Sequence, residues 1–267
     1  MKLVLKNFRV VDEKKDMEAV VIMENGLISE VIPGKKDLEE GAFVIDGNQF
    51  PSSASLCLMP AFVDLHAHFR DSLVYGDNIP FPAETIESAS MAAAAAGFGT
   101  VVCMANTVPV TDTMEKAALI KNRADVLGLL DLYPVLSLTK NLEGKELSGF
   151  TSLEEAGALL MLSEDGKDLA DEGIFLKAME EARRLGIPVS CHCDFGGEEA
   201  EAAKKAGLDR NVYSRIEENN ATERVIELGK KAGCHVHIAH VSTKEALEKI
   251  ALAKADIKKE IEAGRRR

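Results

Sequence analysis

The six histidines are the residues best suited to chemistry, and each lies in or at the end of a predicted strand. His66 and His68 lie two residues apart in the apolar run 61–68, so their side chains leave the same face of a strand, together with Asp64. Two imidazoles on one face can bind the same metal ion, whereas an apolar strand gains nothing from burying them unpaired. The spacing therefore predicts a metal site at this strand.

A third candidate ligand, His192, lies in the apolar run 188–193 between two cysteines. Cys191 and Cys193 point away from the face that His192 uses, because side chains alternate along a strand. A structural zinc site usually needs Cys-x-x-Cys spacing, which this run lacks. We predict that His192 binds metal and that the two cysteines pack against helices.

The last predicted strand contains three histidines on two faces. Alternation places His240 on one face with Val236 and Ile238, and it places His235 and His237 on the other. Active-site side chains of barrel enzymes lie at the carboxyl ends of the strands. His240 is therefore the predicted ligand, and His235 and His237 are predicted to be structural.

A carboxylate follows the fourth predicted strand, in Glu164-Asp165-Gly166. Aspartate before glycine is also typical of a turn. Because three other strands carry histidines at their ends, Asp165 is also a candidate bridge between two metal ions. Imidazole and carboxylate are the ligands expected of zinc, as one or two ions, although manganese, cobalt and iron are alternatives. The predicted metal ligands are His66, His68, Asp165, His192 and His240.

Arg70 and Asn106 are the candidate substrate-binding residues. Arg70 follows the histidines of the first strand on the same face, where its guanidinium could hold a carboxylate through two hydrogen bonds or form a surface salt bridge. Asn106 ends the second strand, where its amide could bind a carboxylate or imide oxygen or simply precede a turn.

The elements that must position these residues change character near residue 58. Residues 1–57 read as short strands (2–11, 19–23, 27–32 and 43–45) with a turn at 24–26 and a charged loop at 35–40, which predicts a small β-sandwich-like domain. Residues 58–267 alternate apolar runs with helical segments, several of which end at glycine. The runs are 61–68, 100–104, 129–136, 158–162, 188–193 and 235–241, and the helical segments include 84–96, 172–185, 221–232 and 244–255.

This alternation predicts parallel βαβ units, either in an open doubly wound sheet or in much of a (β/α)8 TIM-type barrel. The first strand is not followed by G-x-G-x-x-G, which disfavours a dinucleotide-binding sheet.

Composition limits the classes of partner and compartment. The 267 residues carry a formal net charge of -12, which disfavours binding to nucleic acid because phosphate backbones are also negative. No run approaches the roughly 20 apolar residues of a membrane span, and the N-terminus lacks the apolar region of a signal peptide. The five cysteines, an odd number that lies mostly in apolar runs, are predicted to be reduced core thiols of a cytoplasmic protein.

The motifs in combination resemble those of bacterial dihydroorotases, which belong to the amidohydrolase superfamily, and the resemblance covers nearly the whole chain. Residues 59–71, with Asp64-Leu65-His66-Ala67-His68-Phe69-Arg70, resemble the opening motif of that family. Glu164-Asp165-Gly166-Lys167 resembles an Asp-Asp-Gly motif of the family. The other matching blocks are 84–88, 100–107, 191–194 and 237–243.

The resemblance implies a (β/α)8 barrel with a small β domain, and reversible hydrolysis of dihydroorotate to N-carbamoyl-aspartate in pyrimidine biosynthesis. It implies that metal activates water and polarises the ring carbonyl, that Asp165 binds metal, and that Arg70 and Asn106 bind the substrate carboxylate. It also implies a cytoplasmic homo-oligomer, a dimer, that acts on a small molecule. Hydantoinases and allantoinases share the scaffold, but they resemble a version of the metal site in which a carboxylated lysine is the bridge between the metal ions. The Asp165-Gly166 block therefore favours dihydroorotase.

The chain departs from the family pattern in three places. After the sixth strand the family has a Pro-His-His segment, a substrate-binding asparagine and an Asp-His-Ala-Pro block whose aspartate shuttles the proton, and none occurs before Arg267. No catalytic proton-transfer residue is therefore identified, and the chain is expected to be a fragment or a shortened homologue with barrel strands 1–6 of 8. Ala105 replaces a usual proline, and the loop 72–82 is long.

Two alternative functions stay open on these residues. One is a non-catalytic homologue that binds metal or a partner chain, because the proton shuttle is absent from the sequence. The other is a different cyclic amide hydrolase, similar to hydantoinase or allantoinase, on the same fold.

Overall fold

The computed structural model describes residues 2–34, 41–50, 56–73, 83–149, 159–195 and 197–264. The chain divides into two compact units, Met1–Phe62 and Val63–Arg267. The predicted domain division after residue 57 stays a prediction, and the charged loop predicted at 35–40 lies outside the described residues.

The described residues of the first unit form one five-stranded sheet. Its strands are β1 (Lys2–Val11), β2 (Asp16–Glu24), β3 (Leu27–Pro33), β4 (Phe43–Asp46) and β5 (Cys57–Leu58). Strand β1 pairs antiparallel with β2 and parallel with β4 and β5, while β2 pairs antiparallel with β3. The β2–β3 hairpin turns at Asn25 and Gly26, whose φ values of 52° and 83° are those that a two-residue hairpin turn requires.

Alternation along β2 buries apolar side chains on both faces of this sheet. Val20 and Ile22 pack with Val4 on one side, and Ala19 and Val21 pack with Val10 on the other. The strands predicted in this region are confirmed, since each overlaps an observed one.

The second unit is built on parallel strands. They are β6 (Phe62–Ala67), β7 (Phe98–Cys103), β8 (Asp131–Pro134), β9 (Leu136–Ser137), β10 (Leu162–Ser163), β11 (Val189–Cys191) and β12 (Val236–Ile238). The described strands form two sheets, with the orders β6-β7-β8 and β9-β10-β11-β12. The segment that contains β8 and β9 joins them, because β8 pairs with β7 and β9 pairs with β10, both in parallel.

Strands that follow one another in the chain are therefore neighbours in space. A doubly wound sheet reverses its strand order at a switch point, and this order does not reverse among the described strands. The structure thus confirms the barrel-type α/β fold, and it places the carboxyl ends of successive strands along one rim.

Helices follow most of these strands. They are α1 (Ile86–Ala95), α2 (Met114–Leu127), α3 (Glu172–Leu185), α4 (Gly197–Lys205), α5 (Arg210–Ala232) and α6 (Lys244–Glu262). The four predicted helical segments are confirmed, whereas α2, α4 and the first half of α5 were missed. The glycines predicted to end α3 and α5, Gly186 and Gly233, are left-handed at φ 72° and 66°.

The largest apolar core lies between α3, α5 and the strands β9 to β12. Leu162, Val189, Met179 and Val225 are at most 1% exposed there. Cys191, Cys193 and Cys234 belong to the same core, as predicted, and Cys103 is buried in a second one. The prediction is wrong for Cys57, which is exposed because β5 presents it to solvent.

Candidate metal centre

Asp165 is the second residue after β10, and its buried carboxylate is the centre of the site. Oδ1 of Asp165 lies 3.1 Å from Nε2 of His66 and 3.2 Å from Nδ1 of His192, and Oδ2 lies 3.4 Å from Nε2 of His68. Nε2 of His240 lies 4.0 Å from Oδ1. The structure therefore brings together all five residues that the sequence proposes as ligands, from the ends of β6, β10, β11 and β12.

The four imidazoles also contact one another. The ring centroid of His66 lies 5.1 Å from that of His68 and 5.3 Å from that of His240. Nδ1 of His192 lies 2.9 Å from Nε2 of His240. One ligand atom each from His66, Asp165 and His240 lie within 4.8 Å of one another, which is a spacing at which a single ion can contact all three.

The hydrogen-bonding state of these atoms fits a metal ion. Both ring nitrogens of His66 and Oδ1 of Asp165 are buried, and they have no hydrogen-bond partner among the described residues, although their contacts are close. A buried polar atom without a partner costs about 1–3 kcal/mol. Imidazole nitrogen and carboxylate oxygen are ligands of zinc and of related divalent ions, so the donor set fits such an ion.

The protonation of the ligand group also bears on metal binding. Burial alone would raise the pKa of the Asp165 carboxyl, but its contacts with His192 and His66 hold the pKa well below its usual range. Contacts with the Asp165 and Asp194 carboxylates raise the pKa of His192 to about 10. In the metal-free chain, Asp165 is therefore negative and His192 is positive near neutral pH, and a cation that binds there must displace a proton from His192.

The face assigned to His240 from strand alternation is wrong. Val236 and Ile238 pack into the apolar core against the helices, so His237, which lies between them, is on the opposite face of β12. Burial lowers the pKa of His237, and the proximity of His66 lowers it further. Strand β12 ends at Ile238, and His240 has a φ of 33°. His240 reaches the site because the backbone turns after the strand, where alternation no longer applies.

One carboxylate without an assigned role in the sequence reasoning lies beside His192. Oδ2 of Asp194 is 3.1 Å from Nε2 of His192, whose Nδ1 faces Asp165. A carboxylate on the second ring nitrogen orients a metal-binding histidine and selects its tautomer. The signal that could have identified Asp194 is its position two residues after His192.

The two substrate-binding candidates lie at the ends of neighbouring strands. Nδ2 of Asn106 is 2.9 Å from Nδ1 of His68, at the edge of the ligand group. Arg70 is exposed and has a φ of 47°, beyond the end of β6 at Ala67, so alternation does not decide the direction of its side chain. Their roles in substrate binding stay predictions.

The turn that carries His240 is held by helix α5. The Glu218 carboxylate accepts hydrogen bonds from the backbone amides of Ser242 (2.7 Å) and Thr243 (2.9 Å) and from both hydroxyls. Oδ1 of Asn219 accepts a further hydrogen bond of 2.6 Å from Oγ1 of Thr243. These contacts were not predicted, because their partners lie about 24 residues apart in the sequence.

Sequence comparison matches the chain to dihydroorotases, both through a family model and through individual relatives. A family model described as dihydro-orotase-like matches residues 56–246. The dihydroorotase of Aquifex aeolicus is 35% identical over 262 residues, and that of Clostridium botulinum is 33% identical over 254 residues. Each alignment covers 95% of this chain and 58% of the relative, so the chain spans somewhat more than half the length of these relatives.

Solved hydantoinases have a similar fold. The L-hydantoinase from Arthrobacter aurescens matches with a TM-score of 0.70 at 23% identity, over 95% of this chain and 56% of that one. A D-hydantoinase also matches with a TM-score of 0.70, at 22% identity, over 96% of this chain and 55% of that one. At these identities the likeness supports the fold and leaves the chemistry to the site.

Proposed function

The chain belongs to the dihydro-orotase-like family of the amidohydrolase superfamily, and from that premise we propose that it acts as a metal-dependent hydrolase that interconverts dihydroorotate and N-carbamoyl-aspartate. The observation that carries the proposal is the convergence of four imidazoles on the buried Asp165 carboxylate, with ligand atoms that lack hydrogen bonds. Such a group is costly for the protein unless it binds a cation.

We propose zinc as the metal, as one ion or as a binuclear pair. When bound, the metal supplies Lewis acidity, which polarises the ring carbonyl and lowers the pKa of water. The residues that would hold it are His66, His68, Asp165, His192 and His240.

The surrounding side chains would orient the ligands and the substrate. Asp194 holds Nε2 of His192, so that Nδ1 of the same ring stays directed at Asp165. Asn106 does the same for His68 through Nδ1. Arg70 and Asn106 would bind the carboxylate of the substrate, and the guanidinium offers a bidentate contact to it.

The proposed setting is pyrimidine biosynthesis in the cytoplasm, with a homodimer as the working form and a small molecule as the substrate. The net charge of -12 argues against nucleic acid as a partner. Among the helices that the structure describes, none is both long and apolar enough to cross a membrane.

A second candidate function is the hydrolysis of another cyclic amide, such as a hydantoin. It is favoured by the fold similarity to hydantoinases, at 19–23% identity. The relatives named dihydroorotase are closer in sequence, at 31–35% identity, so dihydroorotate is the preferred substrate.

The test is metal analysis of the chain as given, together with assays of ring opening on dihydroorotate, hydantoin and allantoin. We expect bound zinc, and we expect any turnover to favour dihydroorotate over hydantoin and allantoin. Metal without turnover of any of the three would favour a fragment or a non-catalytic metal-binding homologue, and turnover of hydantoin or allantoin alone would favour the second candidate.

The ligand assignment has its own test in two histidine variants. We expect His66→Ala to lose zinc, because His66 contacts Asp165 from within the site. His235→Ala is the matched control, since this histidine is exposed and its described hydrogen bonds, from the backbone amide of Val189 and from Sγ of Cys234, both go to its backbone carbonyl. A full complement of zinc in His66→Ala would refute the assignment.

A further inference from the structure

Arg224 of α5 reaches the loop that carries Asp165. Its side chain is 10% exposed, and Nη2 donates hydrogen bonds to the backbone carbonyl oxygens of Leu169 and of Ala170, the latter at 3.0 Å. Nη1 lies 3.9 Å from Oδ1 of Asp168. Three consecutive residues of the loop between β10 and α3 therefore contact one guanidinium.

The same guanidinium also contacts the loop that carries His192. Its central carbon lies 4.5 Å from the ring centroid of Phe195 and 5.7 Å from that of Phe175. Phe195 follows β11 three residues after His192, and Phe175 lies in the first turn of α3. A planar cation can stack on aromatic rings and donate hydrogen bonds in its own plane at the same time.

Stability alone does not account for this arrangement. Nε and Nη1 of Arg224 and Oδ2 of Asp168 are buried without a hydrogen-bond partner among the described residues, although Nε lies 3.5 Å from Oε1 of Glu172 as an ion pair. A buried ion pair of this kind is often no more stabilising than apolar residues of similar volume. An apolar side chain could not replace the guanidinium, because the guanidinium binds backbone carbonyls of the loop after β10 and also stacks on Phe195 of the loop after β11.

We propose that Arg224 is a positioning residue, which fixes the Asp165 loop and the His192 loop relative to each other. The distance that it controls is the 3.2 Å between Oδ1 of Asp165 and Nδ1 of His192. The effect of Arg224 on function rests on the proposed function, because Asp165 and His192 act together only if they share a metal ion. The contact itself is a property of the chain without metal.

The decisive variant is Arg224→Lys, which keeps the charge but loses the planar fork. In the metal-free chain, we expect backbone amides in 164–171 and 192–195 to exchange hydrogen at least about tenfold faster, because two charge-assisted hydrogen bonds are lost. Zinc affinity, measured by competition with a chelator, should fall about 10- to 100-fold, which is the usual effect of residues that orient metal ligands.

Arg215→Lys is the matched control. Arg215 lies on the same helix, is exposed, and pairs with Glu245 at 3.0 Å. Its replacement should leave both exchange in the two loops and zinc affinity unchanged.

Two results would overturn the proposal: exchange in both loops that is unchanged in Arg224→Lys, or an acceleration that is spread evenly over α3 and α5. If the wild-type chain binds no zinc, the proposed function fails, while hydrogen exchange still decides the role of Arg224. Should Arg224→Lys fail to fold, Phe195→Leu replaces it. That change removes one stacked ring and must accelerate exchange in 164–171, a segment that does not contain Phe195; unchanged exchange there overturns the proposal.

Discussion

At the scale of single residues, Asp168 shows how burial sets protonation beside the site. Burial raises the pKa of its carboxyl from 3.8 to about 6, although the charge of Arg224 opposes the change, and the nearby Asp194 adds to it. The folded chain therefore holds this proton more tightly than the unfolded chain does. A carboxyl of this kind stabilises the fold fully below its unfolded pKa, and that stability is lost as the pH rises through about 6.

Asp168→Asn should remove this loss, because an amide has a similar shape and no charge. The difference between 3.8 and about 6 corresponds to roughly 3 kcal/mol at most. We expect the variant to exceed wild type in free energy of unfolding at pH 8 by up to that amount, and the difference to vanish near pH 4. Urea unfolding between these pH values measures it, and Asp125→Asn, an exposed replacement on α2, is the control. Identical pH dependence of Asp168→Asn and wild type would contradict the prediction.

At the scale of elements, α5 contributes most to the arrangement of the site. Glu218, in its first half, holds the turn that carries His240, and Arg224, in its second half, contacts the loops after β10 and β11. Near its end, Gly229 allows close packing on β12, since a Cβ there would lie 3.0 Å from Cγ1 of Val236. One helix thus sets the position of three strand ends.

Gly229→Ala should destabilise the chain even though alanine is the better helix former. The propensity gain is about 1 kcal/mol, whereas forcing a methyl group into a packed contact costs about 1–3 kcal/mol. We expect a net loss of about 1 kcal/mol, measured by urea unfolding. Adding Val236→Ala makes room for the new methyl group, so the double variant should be more stable than the sum of the single effects predicts. A stabilised Gly229→Ala variant would show that the helix and strand are not in tight contact.

At the scale of the whole molecule, the candidate ligands tie together residues that are distant in the sequence. They extend from His66 to His240, across much of the second unit, and none lies within the first unit, Met1–Phe62. A metal ion that binds them should therefore stabilise the second unit.

We expect zinc to raise the midpoint of thermal unfolding, and a chelator to lower it. At free zinc about 1,000 times the Kd, the stabilisation is about 4 kcal/mol. Calorimetry with and without zinc measures the effect, which should persist in His235→Ala and disappear in His66→Ala. An unfolding midpoint that does not respond to zinc in the wild-type chain would argue against the site.

Much of the fold and the choice of ligands could be predicted from the sequence. The alternation of apolar runs with helical segments predicted the β/α succession, and the helical segment predicted at 172–185 matched α3 to the residue. Helix α2 was missed because its buried positions, Ala117, Ile120 and Ala124, are few and two of them are alanines. His66 and His68 could be selected because two-residue alternation is a local property of the chain, whereas only the strand-end position selected His240 correctly.

What the sequence alone determined about this protein is the set of chemical groups and the local period that presents them. The tertiary structure decided the sequential strand order, the turn that brings His240 to Asp165, and the contacts of Glu218 and Arg224. The reason is physical: alternation ends where a strand ends, and contacts across 24 to 55 residues depend on how helices pack on the sheet. Local rules therefore identify which residues can bind a metal ion, and only packing determines how they face one another.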